Sequence, residues 1–144
     1  MPPVDLVADD DPDPVDIAQL EAHVAELTAR LTGHADERPL AVLVHGDDGA
    51  LVAGLSGWTW GGTCELQHLW VDPARRFHAL ATRLLATAEA EARRRGCSQI
   101  VLFTHAANTG RTGHRWTTLG YELVGRVDDY PTGDAALWYR KPLS

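Results

Sequence analysis

Residues 69–85 have the sequence LWVDPARRFHALATRLL, in which an apolar strand runs directly into a long helix. Leucine and alanine recur on one helical face, and this predicts a helix over Arg76–Arg95. The first N–H groups of a helix and the positive end of its dipole favour an anion. Arg75 and Arg76 add positive charge, so the junction is a candidate site for a phosphate-bearing ligand. Two solvated arginines at an ordinary strand–helix junction are the alternative.

The elements on either side of this junction follow from hydrophobic periodicity and turn residues. Val4–Val7 is a strand candidate, and a helix begins at Asp13-Pro14 and ends at Gly33. Three strands joined by glycine turns then form an antiparallel meander: Leu40–His45, Ala50–Trp60 and Cys64–Val71. The long helix is followed by a buried strand, a short helix and two further strands: Ile100–Phe103, Arg111–Leu119, Tyr121–Val127 and Ala135–Arg140.

This order of elements predicts an α/β protein with a mixed central sheet and helices on its faces. It excludes a doubly wound Rossmann order and an all-β sandwich. With 144 residues, we expect a single domain over residues 1–144, in which residues 1–16 form an acidic N-terminal segment.

Composition excludes several classes of protein. No apolar run reaches the length of a membrane span, and no hydrophobic signal segment is present, so we expect a cytoplasmic protein. The formal net charge is −7, but residues 1–16 carry six aspartates and no lysine or arginine. The rest of the chain is nearly neutral, so no basic surface for nucleic acid is expected. The two cysteines form no CxxC pair, and the histidines lack metal-ligand spacing, so no metal site is expected.

Residues 71–85 resemble the coenzyme A signature of the GNAT acetyltransferase superfamily. That signature is a strand ending in valine, then Arg/Gln-x-x-Gly-x-Gly/Ala, which opens a helix with paired leucines. Leu119-Gly120-Tyr121-Glu122 resembles the family's Leu-Gly-Phe/Tyr segment. Asp129-Tyr130-Pro131-x-Gly133 and Arg140-Lys141-Pro142-Leu143 are similar to one branch of small bacterial members. The similarity runs over residues 40–143.

The resemblance implies the GNAT fold, with a sheet of about seven strands and a splayed parallel pair that binds acetyl-CoA as co-substrate. The pyrophosphate would lie on the amides that open the long helix, and the pantetheine arm along the first splayed strand. An amine attacks the thioester directly, and a backbone N–H near Val71 holds the oxyanion. The implied cofactor-binding residues are Leu69, Trp70, Val71, Arg76, Phe77, His78, Ala79, Leu80, Ala81 and Asn108.

Three positions depart from the family pattern. Ala79 replaces the glycine of the signature, and we expect this alanine to stay helical. Phe77 stands where a second glycine is common, and packing is its alternative role. Trp116 replaces the tyrosine that protonates the departing thiolate, and an indole is no acid near neutral pH. Trp116 is therefore a candidate catalytic residue or a packing residue.

The general base has several candidates. Strand alternation predicts Glu65, Gln67, Leu69 and Val71 on one face, with His68 and Trp70 on the other. Glu65 lies at a position that carries the catalytic glutamate in some members, and an exposed strand carboxylate is its alternative role. His105, which follows the second splayed strand near the expected acceptor site, and His68 are the other candidates, and a structural role is the alternative for each.

The resemblance therefore implies an acetyl-CoA-dependent N-acetyltransferase that acts on a primary amine of a small molecule. A protein-amine acetyltransferase and a GNAT-fold binding protein without catalysis are the alternatives. Trp58 and Trp60 lie two residues apart and are candidates for an acceptor groove or for the surface of a homodimer. Core packing is their other role.

Overall fold

The computed structural model describes residues 4–108 and 116–144, without the side chains of residues 76–78. The chain forms two compact units, Met1–Ala35 and Asp36–Ser144. The helices are α1 (Pro14–Thr32) and α2 (Leu80–Arg94). The strands are β1 (Arg38–His45), β2 (Leu51–Trp60), β3 (Thr63–Val71), β4 (Gln99–His105), β5 (Glu122–Asp128) and β6 (Ala135–Pro142).

The first unit contains α1, and both predicted ends of this helix are confirmed. The Asp13 side chain accepts a hydrogen bond from the Val15 N–H at 2.8 Å. Gly33 ends the helix at φ 79°, a left-handed conformation that glycine adopts without a steric penalty. The predicted strand Val4–Val7 is wrong, because these residues have no strand structure. A four-residue run among aspartates buries too little apolar surface to form a strand by itself.

The second unit is built on a six-stranded mixed sheet in the order β1-β2-β3-β4-β6-β5. Neighbouring strands are antiparallel except β3 and β4, which are parallel and are joined through α2. The predicted α/β fold with a mixed sheet and a parallel central pair is therefore confirmed. The sheet has six strands where about seven were expected, because Val4–Val7 is not one of them.

The hydrophobic core lies between α2 and one face of the sheet, here called the core face. The helix buries Leu84, Leu85, Ala88 and Ala92. Among the strand residues in the same cluster are Leu55, Leu66, Ile100 and Leu102. The opposite face, here called the second face, carries the side chains that alternate with these along each strand.

Candidate functional site

The parallel strands β3 and β4 separate part of the way along their length. Their register pairs Thr63 to Leu66 with Gln99 to Leu102, and the last pair is Leu66 with Leu102. Beyond this pair β3 continues to Val71 and β4 to His105. The two strands therefore leave a gap in the middle of the sheet, on its carboxyl-terminal side.

A cavity of about 550 Å³ occupies this gap. It is large enough for part of a small-molecule ligand. Seven of the predicted site residues line it, namely Leu69, Trp70, Val71, Ala81, His105, Asn108 and Trp116. The other lining residues are Leu66, Gln67, His68, Leu85, Leu102, Phe103 and Thr104. The structure therefore brings residues of β3, β4 and α2 together with Trp116, although these are far apart in the sequence.

A β-bulge in β3 changes which side chains face this gap. Ser56 pairs with His68 and Gly57 pairs with Leu66, so Gln67 is an extra residue without a partner position on β2. Cross-strand partners share a face, and Trp58 pairs with Glu65. Because Ser56 and Trp58 alternate regularly along β2, Glu65 lies on the same face as His68.

The predicted placement of Glu65 with Leu69 and Val71 is therefore wrong. The extra residue shifts the alternation, so that Leu66 and Leu69 both belong to the core face. The described lining of the cavity includes Gln67 but not Glu65. The Gln67 side-chain amide donates a hydrogen bond to the Glu65 carboxylate, which connects this carboxylate to the cavity wall. Sequence reasoning gave Gln67 no role, because a bulge is visible only in the pairing of two strands.

His105 lies on the β4 side of the cavity, among other aromatic rings. Its ring meets Phe103 edge-on with 5.0 Å between centroids. On its other side it stacks with Tyr130 at 6.1 Å and 14°. The imidazole is therefore held in one orientation next to the gap. His68 lies on the β3 side of the cavity, and its Nδ1 atom is 3.4 Å from the Ser56 hydroxyl.

Trp116 is a buried wall of the cavity, with 5% of its surface exposed. Its indole meets Tyr121 edge-on at 5.7 Å and Tyr139 at 6.0 Å. The indole Nε1 is buried and has no hydrogen-bond partner in the part of the chain that the structure describes. These contacts favour the packing role for Trp116. The predicted short helix Arg111–Leu119 lies partly outside the described residues, and residues 116–118 are helical.

A buried polar cluster fixes Tyr121, the ring that Trp116 packs against. The Tyr121 hydroxyl donates to the Glu89 carboxylate of α2 at 3.0 Å, and Lys141 donates to the same oxygen at 2.9 Å. Burial, with the Glu89 carboxylate as a second cause, raises the pKa of Tyr121 above its ordinary value. The phenol therefore stays protonated and is held against α2, while the shared Glu89 carboxylate links α2 to β6.

The junction between β3 and α2 differs from the predicted uninterrupted helix. Pro73–His78 form a 3₁₀ helix, and α2 begins at Leu80 rather than at Arg76. Ala79 lies between them at φ 51° and ψ 29°, so the expectation that this alanine stays helical is wrong. The left-handed conformation costs a non-glycine residue about 1–2 kcal/mol. The backbone at Ala79 therefore has a conformation that glycine adopts without a steric penalty.

The start of α2 has no side-chain cap. Its first N–H groups are therefore not satisfied by a capping side chain, as a helix end that binds an anion requires. Ala81 in this first turn lines the cavity, and Leu80 packs against the core. The side chains of Arg76, Phe77 and His78 lie outside the described part of the structure, so their predicted roles stay predictions.

The cysteines are not candidates for a nucleophile. Burial raises the pKa of the Cys64 thiol to about 12, with the nearby Cys97 as a smaller cause. Burial also raises the pKa of Cys97. Because the thiolate is the reactive form, neither side chain is activated for attack near neutral pH.

The structure has an open mixed sheet with a gap between two parallel central strands, and an uncapped helix begins beside this gap. The sequence resemblance implies the same arrangement. The profile of the Acetyltransferase (GNAT) family matches residues 5–113. The chain is 34% identical over 133 residues to acetyltransferase Atu2258 of Agrobacterium fabrum, with 88% of this chain and 94% of that protein covered. The chain therefore belongs to the GNAT family of acetyltransferases.

Other relatives agree with this assignment. Blasticidin-S acetyltransferase of Streptomyces morookaense is 36% identical over 113 residues, which is 72% of this chain and 77% of that protein. A crystal structure assigned as an acetyltransferase from Agrobacterium tumefaciens has a TM-score of 0.85 at 29% identity, with 96% and 99% of the chains covered. An aminoglycoside 6'-N-acetyltransferase in complex with coenzyme A shares the fold, with a TM-score of 0.62 at 19% identity and 92% and 93% coverage.

None of the helices in the described part of the chain combines the length and the apolar character that a membrane crossing needs.

Proposed function

We propose that this protein transfers an acetyl group from acetyl-CoA to a primary amine of a small molecule. The observation that carries the proposal is the gap beyond the Leu66–Leu102 pair. Its cavity is lined from both faces of the sheet, so acetyl-CoA and the amine can enter it from opposite sides. The family membership supports the reaction type. The relatives named for blasticidin-S and for aminoglycosides support a small-molecule acceptor.

The residues at the gap fit coenzyme A. On the core side, the cavity wall is aliphatic, with Leu69, Val71 and Leu85 among its residues, and suits an extended arm of low charge. The separated edge of β3 faces the cavity along Leu69, where an extended chain with amide groups could lie beside the strand. The uncapped start of α2, with Ala81 at the wall, suits a pyrophosphate. When bound, acetyl-CoA supplies an activated acetyl group and a thiolate leaving group.

The remaining chemistry belongs to the amine and to this chain. The amine nitrogen attacks the thioester carbonyl carbon, the carbon–sulfur bond breaks, and one proton leaves the nitrogen while the sulfur gains one. A backbone N–H near Val71 is the proposed donor to the carbonyl oxygen as its negative charge develops. Trp116 is proposed to shape the leaving-group end of the cavity, because its buried ring carries no acidic proton.

Two side chains are proposed as alternative bases for the amine proton. His105 lines the cavity directly, and an imidazole nitrogen can accept the proton of the amine. Glu65 lies on the same face and reaches the wall through its hydrogen bond with Gln67. If Glu65 is the base, Glu65→Gln should lower turnover at neutral pH, remove the acidic limb of the pH–rate profile and leave acetyl-CoA affinity unchanged. Equal turnover in both proteins would exclude Glu65 and leave His105, or an amine that binds already neutral.

Acetyl-CoA binding is tested with a charge placed at the start of α2. At a hundredfold excess over its dissociation constant, acetyl-CoA should stabilise the wild-type protein by about 2.7 kcal/mol in a thermal melt. Ala81→Glu should weaken this binding at least tenfold, because a carboxylate would occupy the wall beside the proposed pyrophosphate site. Ala81 also packs partly against the hydrophobic core, so the melting temperature without ligand is measured first, and binding is compared at a temperature at which both proteins are folded.

Thr82→Glu is the matched control, because it adds the same charge in the same turn outside the described cavity lining. Its effect on binding should be smaller than that of Ala81→Glu. Release of free CoA across a panel of primary amines then tests the transfer itself. A wild-type melt that does not change in millimolar acetyl-CoA would refute the proposal, and binding without CoA release on any amine would indicate a binding protein.

A further inference from the structure

Aromatic side chains surround the cavity where it opens on the second face of the sheet. Trp70 follows His68 by two residues on β3, beyond the bulge, so both belong to the second face. On β4, Val101 is the register partner of Glu65, which places Phe103 and His105 on the same face. All four rings line the cavity. Trp70 and His68 lie on the β3 side, and Phe103 and His105 lie on the β4 side.

These rings are arranged to receive a ligand rather than to pack a core. Trp70 is 47% exposed, although it is a large apolar side chain at a cavity. Its partner across β2 is Gly54, which has no side chain to cover the ring. On the opposite lip, Phe103 is fixed between His105 and Trp138, with 5.0 Å between ring centroids in each pair. The ring on the β3 side of the cavity is therefore exposed, and the rings on the β4 side are held in place by their neighbours.

The two faces of the cavity also differ in chemistry. The core side is mainly aliphatic, with Leu66, Leu85 and Leu102 among its residues, whereas the second-face side is aromatic. Within the described residues, no Lys, Arg, Asp or Glu lines the cavity. The rings at the aromatic mouth offer flat surfaces, for which stacked or edge-on ring pairs add affinity beyond simple burial.

We infer that the acceptor amine carries a flat aromatic or heteroaromatic ring, which binds between Trp70 and the Phe103–His105 lip. The inference rests on the proposed function and specifies its acceptor. Trp70 is then a specificity-determining residue. The ring of the acceptor lies on the second face, and its amine points into the gap toward the core side.

The test measures binding of two matched primary amines by ligand-observed NMR titration in the presence of CoA. 2-Phenylethylamine and 2-cyclohexylethylamine have the same carbon skeleton and differ in the flatness of the ring. The wild-type protein should bind the phenyl compound at least fivefold more tightly. Trp70→Ala should abolish this preference and weaken phenyl binding about tenfold, while Trp70→Phe should stay within threefold of wild type. CoA affinity is measured for each protein, and every amine titration is run at saturating CoA.

Leu43→Ala is the control variant. Leu43 lies on the same face across from Gly54, is 55% exposed and is outside the described cavity lining, so its removal should change neither amine affinity. Equal binding of the two amines, absence of binding by either, or an unchanged Trp70→Ala variant would overturn the inference. Preferential phenyl binding without CoA release on any amine would refute the proposed function, and the rings would then form a binding site for an aromatic ligand that is not acetylated.

Discussion

Gly57 occupies the point where the bulge in β3 begins, and its replacement by alanine is a direct test of how the gap is built. A Cβ atom added at Gly57 would lie 1.8 Å from the carbonyl oxygen of Glu65 and 2.9 Å from the Cα of Leu66. Both neighbours are backbone atoms of β3, so no side-chain rotation can relieve the overlap. The strand itself would have to move.

The size of the effect follows from that overlap. A carbon–oxygen contact needs about 3.3 Å, so β3 would retreat from β2 by about 1.5 Å at Glu65. Overpacking costs about 1–3 kcal/mol, and each lost ladder hydrogen bond adds about 1 kcal/mol. We expect Gly57→Ala to lower the free energy of unfolding by about 3 kcal/mol or more. In a chain of this size the melting temperature should fall by about 10 °C.

Gly125→Ala is the matched control, because Gly125 also lies in a strand beside a bulge. Its added Cβ would make only an ordinary 3.6 Å contact with Trp138. The control should change stability by less than about 1 kcal/mol, and loss of backbone freedom in the unfolded chain favours a small gain. Thermal and urea unfolding followed by circular dichroism measure both variants. A Gly57→Ala melting temperature within 2 °C of the control would refute the reasoning.

Two further variants test the departures from the family pattern. Ala79→Gly should raise the melting temperature by about 2–4 °C, because glycine relieves about 1 kcal/mol of backbone strain at φ 51° and the exposed methyl group of Ala79 makes few packing contacts. An unchanged or lower melting temperature would contradict the left-handed backbone at this residue. Trp116→Tyr should lower stability by about 1–3 kcal/mol, since the ring is buried against Tyr121 and Tyr139. Higher turnover at saturating substrates with an unchanged melt would instead show that the missing phenol limits the reaction.

The sequence predicts those parts of the fold whose signals are local. Asp13-Pro14 and Gly33 mark both ends of α1 because capping depends on residues within one turn. The sequence predicts the positions of the six sheet strands because their apolar runs are bounded by turn residues. The predicted gap residues also come together, since seven of them line one cavity.

The errors occur where conformation depends on distant partners. Nothing in residues 63–71 shows that Gln67 is an extra residue, because the bulge is defined by pairing with β2. The face assigned to Glu65 was wrong for this reason. Ala79 has good helical propensity, yet the chain needs a left-handed turn between the 3₁₀ helix and α2. The Val4–Val7 run resembles a strand locally, but no strand partner is available to it in the described sheet.

The cavity is lined from both faces of the sheet, and this has a kinetic consequence. Two reactants that approach from opposite sides can be present together, and neither product has to depart before the second substrate arrives. Initial-rate plots at several fixed concentrations of one substrate should therefore give intersecting rather than parallel lines. A single inhibitor that joins both reactants through a short linker would lie in the gap between β3 and β4, with one half on each face of the sheet. Its affinity should exceed that of either half.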